Sequence, residues 1–106
     1  MPTYVVTGCY SSQAAADMIA NPRDREGLAR TIVESAGGAL HSFHVTTGAT
    51  DILMMVEVDD VESLIAGLIV GAGSGNFTRL ETQRAFTSDE FTAIQAKAQQ
   101  IANPYS

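Results

Sequence analysis

The sequence predicts one α+β domain over residues 1–106, in which helices cover one face of an antiparallel sheet. Three observations lead to this prediction. A length of 106 residues suits one domain with a single core. Hydrophobic residues make up 45% of the chain, enough to build that core. Runs rich in β-branched and aromatic residues also alternate with runs of helical spacing, without an internal repeat or a long linker.

A strand and a helix are predicted at the start of the chain. Thr3–Tyr10 is rich in β-branched and aromatic residues, which favours a strand. Ser11-Ser12 offers N-caps for the alanine-rich stretch at 14–20. Asn21-Pro22 then predicts a kink or a restart of the helix, because proline fits a first helical turn but not a helix interior.

The restarted helix leads into a hairpin. Its apolar stripe consists of Leu28, Ala29, Ile32, Val33 and Ala36. Gly37-Gly38 ends the helix, since glycine readily adopts the left-handed conformation of a C-cap. Two strand-like runs at 39–47 and 51–58 flank the short polar connector 47–50, so we expect a β-hairpin there.

Helical spacing returns after the hairpin. Asp59 and Glu62 have the spacing of a capping box. The apolar residues that follow recur every three or four positions: Val61, Leu64, Ile65, Leu68 and Ile69. The sequence therefore predicts a second helix, closed by the glycines at 71, 73 and 75.

A fourth strand and a further helix complete the chain. Residues 77–86 suit a strand, but the run shows no clean alternation, which leaves the facing of Arg79, Glu81 and Arg84 open. Thr87 and Glu90 predict the start of a C-terminal helix.

The resulting order is β-α-β-β-α-β plus one helix, which predicts a ferredoxin-like fold with one face of the sheet uncovered. Alternation in the hairpin assigns one set of residues to the covered face: Phe43, Val45, Ile52, Met54, Val56 and Val58. If Thr47 pairs with Thr50, the uncovered face carries His44, Thr46, Asp51, Leu53, Met55 and Glu57. This mixture of apolar and titratable side chains suits a ligand-lined interface between two sheets.

Several segments resemble the GYD domain family: the opening 3–6, the hairpin 43–51 with Glu57, the runs 75–79 and 84–87, and the stretches 22–25 and 37–38. The family signature reads Gly, a variable residue, Tyr, Asp. Gly48 and Asp51 match it, and Thr50 stands where the family has tyrosine. The resemblance implies a dimeric α+β barrel, in which two domains pair sheet to sheet around a pocket. Such barrels include cofactor-free oxygenases, isomerases, lyases and haem enzymes.

Proton transfer is the chemistry that the uncovered face suggests. His44 and Asp51 have the same parity on adjacent strands, and a nearby carboxylate orients an imidazole for proton transfer. We therefore expect His44 to act as acid and base and Asp51 to orient it. The expected substrate-binding residues are Thr46, Leu53, Met55 and Glu57. The alternative is structural, with His44 as a polar wall residue or dimer contact and Asp51 stabilising the turn.

Neither a metal nor a cofactor is expected. His41 and His44 lie three residues apart, which puts them on opposite faces of a regular strand, so a shared site requires a bulge or a partner chain. Cys9 has no neighbouring cation to ionise its thiol, and we expect a small buried residue there. The glycines at 71, 73 and 75 follow a helix, whereas a phosphate-binding loop precedes one.

Charge and composition indicate which classes of partner the protein binds. The net charge is −6 and the six basic residues are scattered, which argues against nucleic acid and membrane surfaces. A single cysteine and the lack of a secretory signal predict a cytoplasmic protein. Charged residues make up only 17% of the chain, so we expect part of the surface to be buried in a homodimer or larger homo-oligomer.

Two functions remain open from the sequence. The first is a cofactor-free enzyme of isomerase, lyase or decarboxylase type, acting by proton transfer on a small organic substrate in a pocket at the sheet interface. The alternative is a non-catalytic module that binds a metabolite or holds an oligomer together.

Overall fold

The order of elements agrees with the prediction. The computed structural model describes residues 2–105. The elements in this part of the chain are β1 (Thr3–Tyr10), α1 (Ser12–Ala20), α2 (Glu26–Ser35), β2 (Ala39–Val45), β3 (Ile52–Glu57), α3 (Val61–Gly73), β4 (Phe77–Ala85) and α4 (Ser88–Gln99). The sheet has the order β2-β3-β1-β4, and all neighbouring strands are antiparallel. The predicted ferredoxin-like arrangement with an added C-terminal helix is confirmed.

Local side-chain chemistry sets the helix ends. The Ser11 hydroxyl accepts a hydrogen bond from the backbone of α1, as an N-cap does. The helix predicted to kink or restart at Asn21-Pro22 restarts, because α1 and α2 are separate helices on either side of this dipeptide. The cap predicted for α3 is displaced by one residue. Asp60, not Asp59, accepts a hydrogen bond from the N–H of Glu62, because Asp60 is the residue directly before the first helical turn.

The predicted hairpin joins β2 to β3, with shorter strands than the sequence indicated. The N–H of Thr46 donates to the carbonyl oxygen of Asp51 at 2.8 Å, just beyond the strand ends. Gly48 lies in the connector with φ at +107°, a conformation that favours glycine. This pairing keeps Thr46 and Asp51 on the same face, as the sequence argument required.

The core lies between the sheet and helices α2 and α3. Buried and half-exposed residues alternate along β3, and the buried ones are Ile52, Met54 and Val56. Val33 of α2 and Leu64 of α3 pack against them. The prediction is wrong for Val45, which is 73% exposed. Val45 is the last residue of the edge strand β2, where the helix layer no longer covers the sheet.

A β-bulge in β2 changes the facing of one histidine. The pairing register shifts between Leu40 and Ser42, so His41 is an extra residue in the strand. The ring of His41 contacts Glu57 on the uncovered face. Regular alternation placed His41 and His44 on opposite faces, and that prediction is wrong because the bulge brings both to the uncovered face.

Helix α4 stands away from the rest of the domain. The Thr87 hydroxyl accepts from the N–H of Glu90, and the Glu90 carboxylate accepts from the N–H of Thr87, which confirms the predicted capping box. No residue of α4 is buried. The described chain extends over 59 × 29 × 22 Å with a radius of gyration of 17.0 Å. A compact chain of this length has a radius of about 13 Å.

Within residues 2–105, no helix has both the length and the apolar character needed to cross a membrane.

Candidate functional site

The uncovered face of the sheet presents three of the residues predicted to bind substrate. Opposing residues in an antiparallel sheet share a face, and His44 lies opposite Leu53. Met55 and Glu57 follow at alternate positions along β3 and therefore share that face with Leu53. All three are half-buried, whereas His44 lies exposed on the edge strand. The structure thus places these four residues on one face, as predicted.

The structure does not join His44 to Asp51. The Asp51 carboxylate accepts a hydrogen bond of 2.8 Å from the backbone N–H of Tyr10. Tyr10 belongs to β1, which lies on the opposite side of β3 from β2, so this carboxylate is directed away from His44. The Thr46 hydroxyl is also engaged, since it donates to the carbonyl oxygen of Thr50 at 2.7 Å. The catalytic role of His44 and Asp51 stays a prediction.

A second imidazole is paired on the same face. Nε2 of His41 lies 2.6 Å from Oε1 of Glu57. Both side chains are partly exposed, at 49% for His41 and 31% for Glu57. Exposed pairs of this kind contribute less than about 1 kcal/mol to stability.

The pairing register resolves the facing of β4. Arg79 lies opposite Cys9 on the uncovered face, and Glu81, two residues along, shares that face and forms an ion pair with Arg79. Arg84 lies opposite Tyr4 on the covered side, and its guanidinium carbon is 5.8 Å from the centre of the Tyr4 ring.

Cys9 is half-exposed rather than buried, so that prediction is wrong. Its position in β1 directs the side chain to the uncovered face, where the thiol lies 3.3 Å from the carbonyl oxygen of Ala49. Among the residues that the structure describes, no group of three or more His, Cys, Asp or Glu side chains converges as a metal site.

The covered face holds a cavity that the sequence did not indicate. The cavity has a volume of about 360 Å³ and lies between α2, α3 and the sheet. Its apolar walls include Val6, Ile32, Phe43, Met54, Leu68 and Leu80. Small-molecule pockets typically enclose about 300–1,000 Å³ and have mainly apolar walls with few polar groups. The cavity therefore has the size and the lining of a ligand pocket.

Arg25 is the charged residue of this cavity. Only 10% of its side chain is exposed, and Nη2 donates to Oδ2 of Asp17 at 2.7 Å. The Nε of Arg25 is buried and has no hydrogen-bond partner in the described part of the chain. A buried donor without a partner costs about 1–3 kcal/mol, so such a group calls for a specific explanation.

The carboxylate of Asp17 binds a second arginine in addition to Arg25. Arg23 also donates to Oδ2 of Asp17, at 3.0 Å, so two guanidinium groups share one carboxylate. A hydrogen bond from Asn21, together with Arg23 and Arg25, lowers the pKa of Asp17 below its usual value. Asp17 is therefore ionised at neutral pH.

Tyr10 forms the aromatic wall next to Arg25. Its ring stacks on Phe77 with 5.3 Å between centroids, and the guanidinium carbon of Arg25 lies 5.9 Å from the Tyr10 centroid. Burial raises the pKa of Tyr10, so the phenol is neutral at physiological pH. The hydrogen bond from Tyr10 N–H to Asp51 fixes the backbone from which this wall projects.

The sequence did not indicate Arg25 or Tyr10 as site residues, because neither belongs to a recognisable motif. The only available signal was the helix break at Asn21-Pro22, which places Arg25 directly before α2 and beside the end of β1. The stretch 22–25 is also one of the segments on which the family resemblance depends.

Comparisons with known proteins identify a family and a fold. The family model described as GYD domain matches residues 4–94. The crystal structure of TTHA0845 from Thermus thermophilus is 21% identical, with a TM-score of 0.53, covering 83% of this chain and 96% of that one. The hypothetical protein PHS023 from Pyrococcus horikoshii is 13% identical, with a TM-score of 0.51, covering 83% and 93%. At such identities these structures show a shared fold. No curated protein gave a significant match.

Proposed function

We propose that this chain, which belongs to the GYD domain family, is a small-molecule-binding protein whose ligand occupies the cavity between the helices and the sheet. The observation that supports this most directly is the buried Nε of Arg25 at an apolar cavity of about 360 Å³. A ligand atom that accepts a hydrogen bond would satisfy this donor.

The chemistry of the walls defines a ligand class. The lining is apolar apart from a few groups, and Arg25 supplies the charge. Because the buried Nε of Arg25 has no hydrogen-bond partner in the described part of the chain, the best match is a carboxylate head on an apolar body. Since a water molecule takes about 30 Å³ of liquid, the cavity suits a ligand of roughly a dozen non-hydrogen atoms.

The test compares two arginine variants that share an ion-pair partner. The probe is 4-phenylbutyrate, and its neutral counterpart is 4-phenylbutyramide, with binding measured by titration calorimetry. Arg25→Met should weaken binding of the acid by about tenfold or more, because hydrogen bonds to charged groups contribute about 1.5–3 kcal/mol. Arg23→Met also removes one positive charge that pairs with Asp17, but Arg23 does not line the cavity. The affinity of the Arg23→Met variant for 4-phenylbutyrate should therefore stay within about threefold of wild type.

Two results would contradict the proposal. The first is equal affinity for the acid and the amide, which would show that no cation receives the head group. The second is an equal loss in the Arg25→Met and Arg23→Met variants, which would reduce the effect to long-range charge.

A proton-transfer enzyme on the uncovered face is the second candidate. The observation in its favour is the bulge, which adds His41 to the face that carries His44 and Glu57 beside the apolar Leu53 and Met55. The reaction would be of isomerase, lyase or decarboxylase type and need no cofactor. His44→Ala should then reduce turnover by roughly 10²- to 10⁴-fold, with the melting temperature retained. A change of only a few-fold, or a loss that accompanies unfolding, would remove His44 from that role.

We also propose that the chain forms a homo-oligomer through the uncovered face of its sheet. Only 17% of residues are charged, and the uncovered face of the sheet keeps apolar side chains such as Leu53 and Met55 half-exposed. Pairing of this face with a second copy would bury them and enclose the histidines.

A further inference from the structure

Asp51 fastens the hairpin to the end of β1. Oδ2 of Asp51 accepts a hydrogen bond of 2.8 Å from the backbone N–H of Tyr10, which lies 41 positions earlier in the chain. The backbone N–H of Asp51 donates to the carbonyl oxygen of Gly8, also at 2.8 Å. Asp51 therefore makes one hydrogen bond on each side of Cys9, and together these bonds fix the last residues of β1.

The regular pairing of β1 ends at this point. The first residue of β3, Ile52, lies opposite Gly8, so the N–H of Tyr10 lies beyond the last pair of residues that β1 forms with β3. On the other side of β1, the register with β4 shifts between Cys9 and Tyr10. Such an irregularity changes the direction of the side chains next to it. The direction of the Tyr10 ring therefore depends on what holds its backbone here.

The same segment carries the polar end of the cavity. Tyr10 lines the cavity beside Arg25, whose guanidinium carbon is 5.9 Å from the centre of the ring. The next residue, Ser11, caps α1, and α1 carries Asp17, the ion-pair partner of Arg25. Burial raises the pKa of the Tyr10 phenol, the Arg25 charge lowers it and the Asp51 charge raises it. The fields of both charged groups therefore reach the phenol.

We propose that Asp51 is a positioning residue of the ligand site, and that its hydrogen bond to the N–H of Tyr10 holds the aromatic wall beside Arg25. Asp51 acts through Tyr10, because it does not itself line the cavity. This role differs from the one predicted from the sequence, in which Asp51 orients His44. The effect on ligand binding rests on the proposed function, whereas the effect on the Tyr10 ring does not.

The first measurement follows the Tyr10 ring in the protein without ligand. Tyrosine rings are labelled with ¹³C, and the Tyr10 signals are assigned with Tyr10→Phe. The ring stacks on Phe77 with 5.3 Å between centroids, so ring currents make its chemical shifts sensitive to its position. Asp51→Ala should move the Tyr10 signals towards those of Tyr105, which is 95% exposed. Asp51→Asn keeps an acceptor oxygen and should leave the Tyr10 signals close to their wild-type positions.

The second measurement is the affinity for 4-phenylbutyrate by titration calorimetry. Asp51→Ala should weaken binding by about two- to tenfold, the equivalent of one hydrogen bond. Asp51→Asn should stay within about twofold of wild type. The matched control is Glu81→Ala, which removes another carboxylate from β4, where Glu81 pairs with Arg79. This control should change neither the Tyr10 signals nor the affinity.

The two measurements separate positioning from a purely structural hydrogen bond. A structural bond would lower the melting temperature of Asp51→Ala and leave the Tyr10 signals and the affinity unchanged, which would overturn the proposal. Tyr10 signals that move equally in Asp51→Ala and Asp51→Asn would also overturn it. If Asp51→Ala does not fold, Asp51→Glu replaces it with the same expectations, because its carboxylate is displaced by one methylene.

Failure of the ligand site gives a different result. If wild type does not bind 4-phenylbutyrate, the proposed function fails, and the Tyr10 signals alone decide whether Asp51 positions the ring. If wild type and Asp51→Ala bind the probe equally, the ligand site stands and Asp51 is not its positioning residue.

Discussion

The two faces of the sheet differ in how their charged groups are exposed to water. The uncovered face carries the histidines and Glu57, so it looks reactive by composition, but these groups are exposed to water, which screens their interactions. On the covered side, Arg25 lines an apolar cavity, where a charge acts strongly. Enclosure, rather than the number of titratable groups, is therefore the reason to propose the ligand site on the covered side.

Adjacent methionines on β3 allow a direct comparison of the two faces. Met54 is 6% exposed and lines the cavity, whereas Met55 is half-buried on the uncovered face. Met54→Ala should destabilise the domain by about 2–5 kcal/mol, since it removes buried methylenes from the core. Met55→Ala should cost less than about 1 kcal/mol. Chemical denaturation of both variants measures the difference.

The dependence of these stability losses on protein concentration gives a second test of the two faces. If sheets pair in solution, the cost of Met55→Ala should increase with protein concentration, while that of Met54→Ala should not. Equal costs for the two variants at all concentrations would contradict the assignment of the faces.

The fold could be predicted because its signals are local in sequence. The helix break at Asn21-Pro22, the capping box of Thr87 and Glu90, and the hairpin each depend on a few neighbouring residues, and the structure contains all three. Facing was less predictable. The extra residue at His41 shifts the alternation of β2, and a pattern of alternating residues does not reveal such a bulge. Val45 has the alternation of a core residue but is exposed, because it lies at the end of the edge strand.

The cavity could not be predicted because it depends on the spacing of whole helices. Alternation indicates which side chains face inward, but not whether α2 and α3 close over them. The environment of Arg25 likewise arises from Asp17, which lies across a helix break and is brought close only by the fold. From the sequence, Arg25 looks like an ordinary surface arginine, whereas in the structure its Nε is a buried hydrogen-bond donor.

Two glycines of α3 report on the closure of the covered face. A Cβ at Gly71 would lie 3.7 Å from Cδ1 of Leu80, an ordinary contact, so Gly71→Ala should stabilise the domain by about 0.5–1 kcal/mol through helix propensity. A Cβ at Gly67 would lie 3.1 Å from Cγ2 of Ile32, so Gly67→Ala should lose that gain. Thermal melting compares the two, and greater stability of Gly67→Ala would show that α2 and α3 are further apart than described.

The smallest expected effect concerns pH at α4. The backbone N–H of Thr87 donates to Glu90 and lowers the pKa of its carboxyl. A lowered pKa in the folded state contributes stability above the ordinary carboxyl range, and this is lost as pH falls through the lowered pKa. Helical content measured by circular dichroism should therefore fall more on acidification in wild type than in Glu90→Gln, where the amide still caps but does not titrate. Equal acid dependence would remove Glu90 from this role.

The most direct test of ligand binding on the covered face uses the methyl signals of Met54 and Met55. The protein is labelled with ¹³C at the methionine methyl groups, the two signals are assigned with Met54→Leu and Met55→Leu, and 4-phenylbutyrate is titrated while spectra are recorded. Binding in the cavity should shift the Met54 signal, because its side chain lines the cavity, and leave the Met55 signal in place. A shift of Met55 without Met54, or no shift of either at saturating probe, would contradict a ligand site between the helices and the sheet.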